Sequence, residues 1–165
     1  MTGAVLSIGS NVGDRLGHLQ GCVRGLGAAV RAASPVYATA PWGGVEQDDF
    51  LNAVLLVEDP AAGAEEWLRR ARQQERAAQR TRGVRWGPRT LDVDVIDVAG
   101  MRSDAEHLTL PHPRAHQRAF VLVPWCDVAP DAVLPGHGTV ADLVAALPAT
   151  ERDGVHRRDD LALAT

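Results

Sequence analysis

Residues 85–95 read R-W-G-P-R-T-L-D-V-D-V, a loop that runs into an apolar strand. Side chains two apart on a strand share a face, so Asp92 and Asp94 lie together with Ile96, while Leu91, Val93 and Val95 face the other way. The alternation predicts a core strand from Leu91 to Val98. Adjacent carboxylates repel each other and are costly to desolvate, so such a strand calls for cations beside it. Magnesium, which takes one or two carboxylates and completes its octahedron with water and phosphate oxygens, suits the pair; a solvated strand edge is the plain alternative.

The residues just upstream strengthen the first reading. The chain has no lysine, and all 17 of its basic residues are arginine. This excludes a P-loop lysine, a Schiff-base lysine and the strand lysine of protein kinases. Arginines 69, 70, 72, 76, 80, 82, 85 and 89 stand against one acid, Glu75, so a positive segment precedes the two aspartates although the net charge is −4. Arginine forks neutralise phosphate bidentately, and acids holding magnesium opposite arginines are the electrostatic apparatus of phosphoryl transfer. A solvated arginine-rich helix face is the competing explanation for Arg69, Arg70, Arg76 and Arg85.

Working outward, Ala4 to Gly9 predicts a first strand, and Leu16, Leu19, Val23, Leu26 and Val30 recur at helical spacing behind the capping candidates of Ser10 to Asp14. Short strands are expected at 35–40 and 108–110, a strong one at 50–57, a long helix over 61–79, and loops at 41–49 and 80–90. Pro113 is placed to start a short helix, Ala119 to Pro124 reads as a strand, and Val140 to Leu147 as an amphipathic helix. The order predicts an α+β, ferredoxin-like sandwich with a mainly antiparallel sheet and helices packed on it. Residues 1–150 are expected to form a single domain, and 151–165 a charged, partly ordered tail. Cys22 and Cys126, far apart among apolar residues, read as reduced thiols. No apolar run of roughly 18 residues and no secretory leader is visible, so a cytoplasmic protein without membrane partners is expected.

Two more clusters bear chemistry. His112 and His116, four apart in P-H-P-R-A-H-Q-R-A-F (111–120), could share zinc, or His112 and Arg118 could meet phosphate; no third zinc ligand is evident. Phe50 and Phe120, the only phenylalanines, fall at element ends with Asn52 near the first. They can sandwich a flat heterocycle while the amide reads its edge, or simply pack in the core. Glu75 lies on or beside the buried stripe of the long helix, with Arg72, Arg76 or Arg82 as ion-pair partners.

Together, A-V-L-S-I-G-S-N near the start, Y-A-T-A-P-W-G (37–43), D-F-L-N-A (49–53), R-W-G-P-R-T-L-D-V-D (85–94) and L-P-H-P-R-A-H-Q-R-A-F (110–120) resemble the hydroxymethyldihydropterin pyrophosphokinases of folate biosynthesis over residues 4–136. The resemblance implies a monomer that moves the pyrophosphoryl group of ATP to the hydroxymethyl oxygen of a dihydropterin and releases AMP. It implies that Asp92 and Asp94 hold two magnesium ions, and that Arg80, Arg82 and Arg89 act catalytically. Glu75, Trp86, Arg89, Val95, Thr109, His112 and Arg118 would meet ATP; Thr39, Ala40, Trp42, Phe50, Asn52 and Phe120 would meet the pterin. Departures are Pro113 in place of an aromatic residue, Ala40 and Trp42 in place of a proline and an aliphatic residue, His107 where an arginine can stand, and a loop at 81–85 one residue short. A metal-dependent phosphodiesterase or nuclease could use the same acids. An RNA-binding module fits less well, because the chain is acidic overall and lacks an aromatic sheet motif, so no nucleic-acid partner is expected.

Overall fold

The computed structural model describes residues 3–40, 48–80 and 90–165, without the side chains of residues 79 and 80. Strand β1 (Gly3–Ser10) is buried along nearly its whole length, as a central strand covered on both faces must be. It pairs antiparallel with β4 (Phe50–Glu58) on one side and β5 (Asp92–Val98) on the other, Leu6 lying opposite Leu55 and Val95. Beyond β4 come β2 (Val30–Ala33) and β3 (Tyr37–Thr39), both paired to it, and β10 (Val155–Arg157) pairs with β3. Among the described residues the sheet therefore runs β10-β3-β4-β1-β5 with β2 also on β4, all antiparallel. This is the α+β, ferredoxin-like arrangement that the sequence predicts.

Helices α1 (Arg15–Leu26) and α2 (Ala64–Arg80) cover the first face. The α1 start is fixed by Asp14, whose side chain accepts the Gly17 N–H at 3.0 Å, a cap worth about 1 kcal/mol. Its end is fixed by Gly27, at φ +62, a conformation that glycine adopts without strain. Leu19, Cys22, Val23 and Leu26 of α1 and Trp67 and Ala71 of α2 then bury against Leu6, Ile8, Leu51, Leu55, Val93 and Val95. Burial, with Glu75 nearby, pushes the Cys22 thiol up to about 12, which leaves it inert, and neither cysteine is paired. On the second face, α3 (Ala119–Val128) and α4 (Val140–Ala146) pack over Val5, Val54 and Ile96. No helix of the described residues is long and apolar enough to cross a membrane.

Two expectations are corrected. Residues 119–124 are the first turns of α3 and not a strand: an apolar run this short does not distinguish a strand from a buried helix, and its Val content and Pro124 favoured the wrong choice. Val30 lies outside the α1 stripe, in a strand, because Gly27 ends the helix before it. The residues after 150 form regular elements in part. They finish α5 (Ala149–Asp153), supply β10, and return to α1, where Gln20 and Ala164 exchange two 2.8 Å hydrogen bonds and Leu161 and Leu163 pack on the first-face core. Pro113 precedes a single 3-10 turn, Ala115–Gln117.

Candidate active site

Residues paired across neighbouring strands share a face. Asp92 lies opposite Gly9, Gly9 opposite Asn52, and Asn52 opposite Tyr37; Asp94 lies opposite Ser7, Phe50 opposite Thr39, and Thr39 opposite Val155. All of them look out on the second face, at the end that α3 and α4 leave open. Except for Tyr37, whose hydroxyl reaches Asp127 of α3, they line there a cavity of about 990 Å³, whose other wall is the start of α3 with Arg118, Ala119 and Phe120. The third acid of β5, Asp97, does not line the cavity, and its carboxylate accepts the Gly100 N–H at 3.4 Å. Of the acids of β5, the D-x-D pair alone lines it.

At the acidic end, a guanidinium nitrogen of Arg118 stands 3.8 Å from Asp94 Oδ2, and the same group lies 5.4 Å from the centre of the Phe120 ring. Arg118 thus bridges the acid pair and the aromatic wall. At the other end, Asn52, only 4% exposed, donates from Nδ2 to Thr39 Oγ1 at 3.0 Å, which fixes its amide orientation. The Tyr37 hydroxyl donates to the Asp127 carboxylate, tying the Thr39 strand to α3; burial and that bond push the phenol up to about 12.

The outer edge of β5 is held separately. Val93 N–H, between the two acids, donates to Glu75 Oε2 at 3.1 Å, and His112 N–H donates to the Ile96 carbonyl at 2.8 Å. Burial lowers the pKa of His112, although Asp94 opposes it, which favours the neutral ring. Its Nδ1 accepts the Arg114 N–H at 3.2 Å, which leaves the proton on Nε2. Thr109 sits in the hairpin β6 (Ser103–Ala105) and β7 (Leu108–Leu110), its hydroxyl donating to the Ala105 carbonyl at 3.1 Å. His116 stacks on His137 with centroids 4.1 Å apart, and among the described residues no group of three or more His, Cys, Asp or Glu could hold a metal. The zinc reading of His112 and His116 therefore finds no support.

The cavity brings together Thr39, Ala40, Phe50, Asn52, Asp92, Asp94, Arg118 and Phe120 of the expected residues. Glu75, Thr109 and His112 do not line it and cluster around β5, while the Val95 side chain is buried in the first-face core. Trp42, Arg82, Trp86, Arg89 and the Arg80 side chain lie outside the described residues. Sequence reasoning missed Ser7, Gly9, Arg114 and Gln117, and the C-terminal residues Thr150, Glu151, Gly154 and Val155. The strand-ending glycine of S-I-G-S-N is the one signal that was available. A Cβ at Gly9 would fall 2.8 Å from Asn52 Oδ1, so glycine leaves room for the amide between the acids and Thr39. Gly9→Ala is expected to displace the Asn52 amide from Thr39 with little loss of stability; a crystal structure of the variant and a thermal melt check both.

Residues 5–130 match the family model described as 7,8-dihydro-6-hydroxymethylpterin-pyrophosphokinase (HPPK). Curated proteins named 2-amino-4-hydroxy-6-hydroxymethyldihydropteridine pyrophosphokinase are similar along nearly the whole chain. The Mycobacterium leprae protein is 55% identical over 168 residues, covering 94% of this chain and 88% of its own. The Mycobacterium tuberculosis protein is 53% identical over 167 residues, covering 94% and 89%. That of Methylorubrum extorquens is 42% identical over 151 residues, covering 89% and 94%. Among solved structures, wild-type Plasmodium falciparum HPPK-DHPS with pterin and p-hydroxybenzoate has a TM-score of 0.67 at 12% identity, covering 94% of this chain. This chain spans 45% of that longer one, and at such identity the likeness concerns the fold alone. With the fold, the cavity and these relatives in agreement, the chain belongs to the 7,8-dihydro-6-hydroxymethylpterin-pyrophosphokinase family.

Proposed function

We propose that this chain transfers the pyrophosphoryl group of ATP to the hydroxymethyl oxygen of 6-hydroxymethyl-7,8-dihydropterin, a step of folate biosynthesis, and that Asp92 and Asp94 hold the magnesium the reaction uses. One observation carries the reading: the acid pair and the aromatic–amide pocket open into the same cavity. Asp92 and Asn52 are separated only by the β1 strand, which puts them about 10 Å apart, a span that a fused bicycle with a hydroxymethyl arm can bridge.

The donor set fits magnesium. Two half-buried carboxylates on one strand face supply hard oxygen ligands and leave most of an octahedron to water and phosphate. Two ions bound there would neutralise and orient the polyphosphate. In this reading Phe50 and Phe120 stack the pterin, Asn52 and Thr39 read its edge, and its hydroxymethyl arm points toward the acids. The hydroxymethyl oxygen attacks the β-phosphorus in line, the bond from that phosphorus to the α-phosphate oxygen breaks, AMP leaves, and the hydroxyl proton passes to solvent. Arg118 leaves the Phe120 ring as the pterin enters and turns its charge to the phosphates. Neutral His112 donates from Nε2 to the nucleotide, next to Glu75 and Thr109 at the β5 edge. Arg89, with Arg80 or Arg82, completes the cationic set, and Trp86 and the Val95 backbone flank the nucleotide; Trp42 and Ala40 close the pterin side. Catalysis is then mainly positioning and charge stabilisation, performed by a monomer.

Incubation with ATP, magnesium and 6-hydroxymethyl-7,8-dihydropterin is expected to give AMP and the pterin diphosphate in equal amounts. AMP or ADP formed at the same rate without pterin would instead indicate a hydrolase.

A further inference from the structure

The family match ends at residue 130, but the cavity continues past it. Thr150 and Glu151 of α5, then Gly154 and Val155, form a wall at the end of the sheet remote from the acids. This wall is built into the fold: Val155 pairs with Thr39 in the β10–β3 ladder, and the Gly154 N–H closes α5 onto the Glu151 carbonyl at 3.3 Å.

Across the open face, the strands present a chemical gradient from β5 to β10: Asp92 and Asp94 first, then Asn52 and Phe50, then Thr39, then this wall. An acceptor whose reactive arm reaches the acids must direct the far end of its bicycle toward β3 and β10. In a pterin that end carries the 2-amino group and the neighbouring ring N–H, two donors side by side. The Thr39 hydroxyl already accepts the Asn52 amide. Of the acids lining the described cavity, Asp92 and Asp94 stand at one end and Glu151 at the other. Glu151 is half-buried, and no ion pair among the described residues engages it. A carboxylate offers two acceptor oxygens in one plane, the complement of two adjacent N–H donors.

We propose that Glu151 is a specificity-determining residue, accepting the amino-end N–H donors of the pterin from a C-terminal wall that the family match does not include. The inference rests on the functional reading above.

The test is a fluorescence titration of 6-hydroxymethylpterin, and of its analogue bearing oxygen in place of the 2-amino group, into protein holding magnesium and a nonhydrolysable ATP analogue. Relative to the parent, Glu151→Ala should weaken pterin binding about ten-fold and lose most of the preference for the amino compound, with Glu151→Gln falling between. Affinity for the ATP analogue and the thermal midpoint should not change. Unaltered pterin affinity and preference in both variants would overturn the proposal. So would a parallel loss of nucleotide affinity, which would make Glu151 a scaffold residue. Parent protein that binds neither compound would overturn the functional reading, and this inference with it.

Discussion

Asp94→Asn, and Asp92→Asn alike, should cut AMP release in the presence of dihydropterin by about a thousand-fold or more, roughly 4 kcal/mol in the barrier, while the thermal midpoint stays within a few degrees of the parent. The two halves of this expectation have different origins. Turnover falls because an amide is neutral and a poor ligand for a hard cation, and because the two acids face the cavity from one strand, where no other described acid of β5 can replace them. Stability holds because asparagine has the size of aspartate and, at Asp94, because the fold gains little from the charge. Among the described residues Asp94 has one ion pair, with Arg118 at 3.8 Å, and its side chain is 41% exposed; such pairs are worth about 0–1 kcal/mol. Steady-state assay of AMP together with a melting curve separates the two. Near-parental turnover in either variant would remove that acid from the metal site.

The second large effect concerns the scaffold. Trp67→Ala should lower the unfolding free energy by about 3–5 kcal/mol, measured by urea denaturation. Trp67 is fully buried in the first-face core, where α2 meets the sheet. Its ring also carries the Arg70 guanidinium, 4.9 Å from the ring centroid, which Asp59 and Glu66 hold at 2.7 and 2.9 Å. Alanine leaves a cavity that neighbouring side chains cannot fill and removes the platform under Arg70. Trp67→Phe should cost much less, since the indole N–H is buried without a hydrogen-bond partner and its removal leaves no polar group stranded. The helix matters to the site because it delivers Glu75 to the Val93 N–H between the two acids. A loss below about 1 kcal/mol for the alanine variant would mean that the core closes around the gap.

How far the sequence could be read depended on whether a residue's role is local. The acid pair was legible because strand alternation alone puts Asp92 and Asp94 on one face. The stripe of α1 was legible because a 3.6-residue period and a capping aspartate are both written within a few positions. Residues 119–128 were not, since a helix that is apolar on most sides loses its period, and α3 lies between the sheet and α4. Gly9 was not singled out because its importance is a relation to Asn52, 43 positions away, that exists only once β1 and β4 pair in register. The wall at 150–155 left no local mark at all: the charge of the last 15 residues suggested solvent, yet Val155 finds its partner in Thr39 through long-range pairing. The family resemblance supplied what periodicity could not, namely that the phosphate and pterin ends belong to one reaction.

The proposed reaction requires divalent cations and polyphosphate to meet at the two aspartates, beside the proposed pterin pocket. The most direct measurement is a crystal of the protein with manganese and a nonhydrolysable ATP analogue, with data collected at the manganese absorption edge. Two anomalous peaks are expected within about 2.5 Å of Asp92 and Asp94 oxygens, bridged by the analogue's phosphates. Phosphates bound in the cavity with no anomalous peak at either carboxylate would contradict the proposal.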